Sequence, residues 1–306
     1  MKLKNNKKAI VFGGSGFLGS YVADCLTENE YDVTIFDVKP SSNLKDNQKM
    51  IVGNILDFPL VKESIKDMSV IYNFAGTVDL DMAEDDPIGT IKNNILGNGY
   101  ILEALKGKDI ERYIFASTTY VYSSAGSFYR SSKIACEMYI NDYCKKYGIP
   151  FTVLRYGSLY GPRSNQKNRI YQLVKQALIE RKLAYEGNGE EVREYIHVED
   201  VARCSVEILD KAYLNQNIIL SGQSSIKIKD LMIMINEIFD KKLTIEFLNK
   251  NSELHYEKTP YSFNPRIGKK YISSHYIDLG QGIIQCAEEI CNSMKKENVD
   301  QLLGKQ

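Results

Sequence analysis

Apolar residues in the first half of the chain come in short runs rich in β-branched and aromatic side chains: KAIVF at 8–12, VTIFD at 33–37, KMIV at 49–52, SVIYNF at 69–74, RYIFAS at 112–117 and FTVLRYG at 151–157. Such runs are short for helices, and most lack the polar alternation of a strand with one wet face. Between them, apolar positions recur at three- and four-residue intervals. This helical period starts at about Phe17, returns across PIGTIKNNILGNGYILEALK, and covers YRSSKIACEMYINDYCKKYG, which Gly148 and Pro150 close. Strand and helix in steady alternation predict an α/β fold, a doubly wound parallel sheet covered on both faces.

After about Pro162 the rhythm changes. A helix is expected near QLVKQALIERK, then short strands and a charged, tyrosine-containing final third, read together as a smaller second lobe. VEDVARCSVEILD followed by NIIL reads as one more helix and strand returning to the sheet. The expected division is therefore interleaved, with 1–165 and return elements near 196–221 in the sheet domain, and 166–195 with 222–306 in the lobe.

Composition removes several classes of function. The 39 Lys and Arg balance 39 Asp and Glu, so the chain lacks the basic field that drives nucleic-acid binding. Cys25, Cys136, Cys144, Cys204, Cys286 and Cys291 form no CxxC pair and no zinc-like spacing with the three histidines, so no metal site is expected. The N-terminal apolar run AIVF is too short for a signal-peptide core, and no run approaches the roughly 18 residues of a membrane span. Reduced thiols in a cytoplasm fit this usage.

The first run leads into GGSGFLG, four glycines in seven positions. Gly14, Gly16 and Gly19 fit GxGxxG, and Gly13, Gly16 and Gly19 fit GxxGxxG, both between a strand and a helix. The early glycines permit a tight turn and let a pyrophosphate reach the backbone. The last lets helix and strand pack closely, while the helix N-terminus offers unpaired N–H groups to the anion. The alternative is a plain glycine-rich turn. Asp37, ending the second run about 20 residues on, is placed to accept hydrogen bonds from an adenosine ribose, and its charge favours NAD over NADP. Lys39 nearby softens that preference, and Asp37 could instead be a turn acid.

Tyr129 and Lys133 lie one turn apart on an expected helix that follows a strand ending in hydroxyl residues. A phenol titrates at about 10, so a tyrosine base at neutral pH needs a downward shift of about three units, or about 4 kcal/mol. A nearby ammonium supplies it. The same spacing recurs at Tyr171 and Lys175, but without the preceding strand, and reads there as helix packing.

In order along the chain, GGSGFLG, Asp37, GNILD at 53–57, NFAG at 73–76, NNILGN containing Asn94, STTYVY, YRSSK, LRYGSLYGPR at 154–163 and EVREYIHVED at 191–200 resemble an extended short-chain dehydrogenase/reductase. The likeness is to its NAD-dependent nucleotide-sugar epimerase/dehydratase family and covers almost the whole chain. It implies a Rossmann-type sheet with a smaller, interleaved C-terminal substrate lobe, NAD as cofactor and a nucleotide sugar as substrate. It further implies that Gly13, Ser15, Gly16, Phe17 and Leu18 meet the cofactor pyrophosphate, Asp37 the ribose, and Asn54 and Ile55 the adenine region. Phe74, Ala75, Gly76 and Asn94 would line the cofactor site. Tyr129 would take the proton from a sugar hydroxyl, usually at C4, as hydride leaves that carbon. Lys133 would hold the nicotinamide ribose and lower the Tyr129 pKa, and Thr118 would hydrogen-bond the same hydroxyl, with Ser117 as fallback. Thr119, Ser158 and Arg193 are placed at the substrate, Arg193 at the diphosphate, unless it is a surface arginine. Arg266 is a further phosphate candidate, and His197 reads as structural. A homodimer through the helices near Pro87–Lys106 and Tyr129–Tyr147 is implied, with Ile134, Met138 and Cys136 or Tyr139 facing the partner.

This sequence also departs from the family pattern. The dehydratases carry an Asp-Glu pair directly after the catalytic threonine, and the decarboxylases an acid two positions on; here those positions are Thr119 and Tyr120. Without a second acid–base group, elimination loses its catalyst and redox at one carbon is left. The link from Tyr122 to Tyr129 is unusually short, and Ser158 stands where many relatives have asparagine. The expected activity is a 4-epimerase working through a 4-keto intermediate. A net 4-dehydrogenase or a ketoreductase in surface-polysaccharide synthesis is the alternative, and from another class an NAD(H)-binding sensor or scaffold.

Overall fold

The computed structural model describes residues 7–240, 242–248, 255–260 and 269–302. The six apolar runs form strands β1 (Lys8–Phe12), β2 (Asp32–Asp37), β3 (Lys49–Val52), β4 (Val70–Asn73), β5 (Arg112–Thr118) and β6 (Phe151–Tyr156). With the strand Gln216–Leu220 and the edge strand Lys269–Lys270 they make one eight-stranded sheet. Every pairing in it is parallel. From one edge the order is Lys269–Lys270, Gln216–Leu220, β6, β5, β4, β1, β2, β3. The chain builds outward from β1 to β3, then returns to β4 on the other side of β1. That reversal puts a crevice at the carboxyl ends of β1 and β4.

β1 shows why the runs are almost wholly apolar. Ala9 and Val11 pack on one face with Val22, Ala23 and Leu26 of helix α1 (Phe17–Glu28) and with Val201 and Ala202 of the helix Val198–Glu207. Ile10 and Phe12 point the other way, against Ile101 and Leu102 of the helix Gly97–Ala104 and Cys136 and Ile140 of the helix Ser127–Tyr147. Two-sided burial of this kind stabilises by about 1.5–3 kcal/mol for each large aliphatic or aromatic side chain. Gly148 ends Ser127–Tyr147 at φ +66°, a left-handed cap that suits glycine.

A separate core forms beyond β6. Tyr160 of the strand Ser158–Tyr160 packs with Leu173, Val174, Leu231, Met232, Ile235, Ile283 and Cys286 of the helices Arg169–Ile179, Ile228–Ile238 and Leu279–Leu302. Short strand pairs join Ser158–Tyr160 to Tyr195–His197 and Lys182–Tyr185 to Thr244–Phe247. The strand Gln216–Leu220 lies beside β6, and the edge strand Lys269–Lys270 carries the sheet into the range expected for the lobe. All six cysteines are free thiols. Among the described residues no helix is long and apolar enough to cross a membrane, and none of the His, Cys, Asp and Glu groups could hold a metal ion.

Candidate active site

The crevice is walled by backbone. Gly13 takes φ +77°, and a Cβ there would stand 2.7 Å from the Ala75 nitrogen and the Phe74 carbonyl carbon, so the loops after β1 and β4 touch only because the position is bare. A Cβ at Gly19 would lie 2.2 Å from the Gly13 oxygen, so α1 can begin directly against that loop. Gly16 caps α1 without a side-chain hydrogen bond, leaving first-turn N–H groups of Phe17 and Leu18 for an anion. This bare cradle fits the pyrophosphate of a dinucleotide. Ser15 donates its backbone N–H to Asp37 Oδ2 at 3.0 Å and its hydroxyl to the Lys39 carbonyl at 2.8 Å, tying the loop to the end of β2. Lys39 N–H donates to Asp37 Oδ1 at 3.2 Å. Asn54 is exposed and accepts from Leu56 N–H at 2.9 Å, while Ile55 is buried beside Gly97.

Asn94 sits under the β4 loop, in a π-helical turn, Ile91–Leu96, that links the helices Pro87–Thr90 and Gly97–Ala104. Its oxygen accepts from Thr77 N–H at 2.6 Å, and its amide donates to the Thr77 carbonyl at 2.9 Å and to Ser132 Oγ at 2.8 Å. The residue therefore fastens the loop after β4 to the helix Ser127–Tyr147. Gly76, at φ +145°, leaves room for that amide, since a Cβ there would lie 2.4 Å from Asn94 Oδ1.

Thr118, Tyr129 and Lys133 come together at the end of β5. The Thr118 hydroxyl accepts from Tyr120 N–H at 3.2 Å and lies close enough to the Tyr129 phenol to favour its ionised form. Lys133 is buried, donates to the Ala116 carbonyl at 2.8 Å, and lies 5.8 Å from the Tyr129 ring centre. Burial pushes the Tyr129 phenol up to about 12, against the downward shift the sequence suggests; the neighbouring Thr118 hydroxyl opposes that rise. Burial also lowers Lys133.

Ser117, one residue earlier on the strand, faces away. Its hydroxyl donates to Glu137 Oε1 at 2.5 Å, so it is no substitute for Thr118. Glu137 and Arg155, both buried, form a two-pronged ion pair at 3.0 and 2.6 Å, and Arg155 also bonds the Tyr122 hydroxyl. The pair pins the helix bearing Tyr129 and Lys133 to β6.

On the side facing the second lobe, His255 and Tyr256, which no local pattern announced, join residues the sequence singles out. Thr119 is buried at the start of the 3-10 turn Thr119–Tyr122. Tyr120 follows, its ring edge-on to Tyr129 at 6.2 Å and 4.6 Å from that of Tyr256. The short link to Tyr129 fits because Gly126, at φ +95°, passes under the Tyr120 ring, where a Cβ would come within 2.6 Å. The Tyr120 hydroxyl shares a 2.9 Å hydrogen bond with His255 Nδ1. Burial lowers the His255 pKa, as do the Arg193 and Arg169 guanidiniums. Arg193 is no surface arginine: it is 8% exposed, donates to the Val192 and Glu257 carbonyls at 3.0 and 3.2 Å, and stacks 4.4 Å over the Tyr256 ring. Ser158 Oγ lies 3.4 Å from the Tyr256 hydroxyl. His197 is buried edge-on to Tyr160, and both its ring nitrogens lack a hydrogen-bond partner among the described residues. Arg266 lies outside the described residues.

Comparison with known proteins identifies the family. The sequence model of the NAD dependent epimerase/dehydratase family matches residues 9–220. A protein of Methanocaldococcus jannaschii provisionally named UDP-glucose 4-epimerase is 29% identical over 252 residues, covering 76% of this chain and 80% of that one. The UDP-N-acetyl-alpha-D-glucosaminuronate decarboxylase of Bacillus cytotoxicus is 27% identical over 259 residues, with the same coverage. The UDP-glucuronic acid 4-epimerase of Bacillus cereus, solved with UDP-glucuronic acid and NAD, superposes with a TM-score of 0.82 at 24% identity, over 94% of this chain and 99% of that one. With its glycine cradle, doubly wound sheet and family match, the chain belongs to the NAD dependent epimerase/dehydratase family and is an NAD-dependent enzyme.

Proposed function

We propose that the protein is a nucleotide-sugar 4-epimerase working through a 4-keto intermediate. The observation that carries this reading is the composition of the site at the end of β5: Thr118 and Tyr129 stand together beside Lys133, while the two positions after Thr118 are Thr119 and Tyr120 rather than carboxylates. One group that can take a proton at a single carbon supports oxidation and re-reduction there, and supplies no second base for elimination. NAD supplies the hydride acceptor and, when oxidised, a further positive charge. The Tyr129 phenol, raised by burial, then loses its proton only where positive charge offsets that burial; the Lys133 ammonium, 5.8 Å from the ring centre, is a charge the protein itself places beside it. Thr118 orients the C4 hydroxyl toward Tyr129, and Arg193 meets the diphosphate with Ser158 beside it. Asp37 selects NAD over its 2′-phosphorylated analogue by charge repulsion.

The name of the M. jannaschii relative supports this reading. A homodimer fits the exposed Ile88, Ile91, Met138 and Tyr139, whereas Cys136 is fully buried and bonded to the Asn94 carbonyl, and Ile134 packs on Val121 and Tyr122. Sedimentation as a monomer at micromolar concentration would remove that part of the reading. A cytoplasmic role in polysaccharide synthesis completes it.

The test is incubation with UDP-glucose, UDP-N-acetylglucosamine, UDP-glucuronic acid and their guanosine and thymidine counterparts, followed by proton NMR and NADH absorbance. The expected result is one 4-epimer, with a C4 deuterium label retained and no lasting NADH. Stoichiometric NADH would make the protein a dehydrogenase, and loss of water a dehydratase.

A further inference from the structure

Tyr256 is the residue on which the substrate side converges, although nothing near it in sequence resembles a site. It is 6% exposed. Its ring carries the Arg193 guanidinium on one side at 4.4 Å and meets Tyr120 at 4.6 Å, and its hydroxyl lies 3.4 Å from Ser158. Its neighbours hold the segment in place. Val192 donates to the Glu257 carbonyl at 2.7 Å, Thr259 donates to the Val192 carbonyl at 3.1 Å, and His255 bonds Tyr120. This stretch of the second lobe is therefore laced along the strand that bears Arg193 and to the turn that bears Tyr120.

We propose that Tyr256 is a positioning residue that holds the Arg193 guanidinium over its ring in the orientation that receives the substrate's diphosphate. This rests on the nucleotide-sugar reading of the site. The physical argument is one of preorganisation. An arginine has several rotatable bonds, and fixing it on binding costs about 0.5–1.5 kcal/mol. A ring stacked beneath the guanidinium, with the Val192 and Glu257 carbonyls taking one Nη1, fixes the plane beforehand, leaving Nη2 and the outer edge for phosphate oxygens. Tyr256 acts through Arg193 and need not touch the reacting carbon.

The test measures affinity for UDP, GDP, dTDP, CDP and inorganic pyrophosphate by calorimetry, with NAD affinity measured alongside, in wild type, Tyr256→Leu, Tyr256→Phe, Arg193→Ala and the double variant Arg193→Ala/Tyr256→Leu. Tyr256→Leu is expected to weaken the preferred diphosphate by about tenfold, the scale of a desolvated cation–π contact, and to raise KM by the same factor with kcat little changed. Tyr256→Phe keeps the stacking face and stays near wild type. The double variant binds no worse than Arg193→Ala, because a residue acting through the guanidinium has nothing left to position. Additive losses in the double variant, or unchanged affinity in Tyr256→Leu, overturn the proposal while leaving the proposed function standing. If Tyr256→Leu and a Tyr256→Met control both lose NAD binding, Tyr256 belongs to the scaffold and the proposal falls. Wild-type protein that binds none of the five probes overturns the nucleotide-sugar reading and this one with it.

Discussion

At the glycine loop, contacts join pieces of chain whose positions are set by neighbouring strands. Gly13 meets Phe74 and Ala75 at the ends of the paired strands β1 and β4, and Ser15 donates to Asp37 at a separation of 22 residues. On the substrate side, Ser158 meets Tyr256 across 98 residues and Tyr120 meets His255 across 135. The first region is built of backbone, so a few glycines and one strand-end acid define it. The second is built of side chains brought in from the far lobe, so its chemistry depends on how that lobe docks. In a site made this way, side chains of the far lobe can be exchanged while the backbone-built half stays as it is.

The sharpest way to separate the halves is Tyr129→Phe. Removing the phenolic hydroxyl should cut kcat by about a thousandfold, within the range for one acid–base group, while NAD affinity stays near wild type. Lys133→Met should weaken both, because its ammonium lies beside Tyr129 and is bonded to β5. Normal turnover by Tyr129→Phe would remove the assigned base. Next in size is Glu137→Ala, which strands the Arg155 guanidinium in the core and should cost about 3–5 kcal/mol in urea unfolding. The double variant Glu137→Met/Arg155→Met should recover much of that loss. Equal destabilisation by both would mean that the pair matters only for shape.

These variants also mark where the sequence could be read. The six strands, the helix carrying Tyr129 and the glycine turn follow from local period and spacing, and Gly148 closes its helix where a left-handed residue is needed. Glu137 and Arg155 could not be paired by inspection, because each is one charge among many until β6 and the helix are packed together. Tyr120 was visible only as a missing carboxylate, and its partner His255, one of three histidines, lies in a stretch without helical or strand period. Tyr129's direction of titration escaped the sequence for a related reason. Spacing from Lys133 reports a possible charge partner, whereas burial, which dominates, belongs to the assembled site.

A smaller effect tests the joint between the halves. His197 sits in the strand Tyr195–His197 paired with Ser158–Tyr160, and burial lowers its pKa from 6.5 to about 4. Its folded value lies below its unfolded one, so the unfolded chain takes up a proton first as pH falls, and stability is lost from about pH 6.5 downward until the folded histidine titrates. Between pH 6.5 and about pH 5 that amounts to about 2 kcal/mol. Urea unfolding of wild type and His197→Leu at the two pH values should show a loss in wild type that the variant lacks by about that amount. Parallel curves would show that the imidazole does not stay neutral.

The smallest expected effect is the control that makes the comparison specific. Tyr171 and Lys175 repeat the spacing of Tyr129 and Lys133 on the helix Arg169–Ile179, and Tyr171 packs against the second-lobe core. Its N–H donates to the Asn168 side chain at 3.2 Å, and the described segment 161–168 leading into its helix contains no strand. The motif alone would give both tyrosines the same chemistry, whereas position relative to the sheet gives it to one. Tyr171→Phe should therefore leave kcat and KM unchanged and shift stability by no more than about 0.5 kcal/mol. A large fall in kcat with normal folding would mean that the second lobe supplies the base, and the assignment of chemistry to the end of β5 would have to move with it.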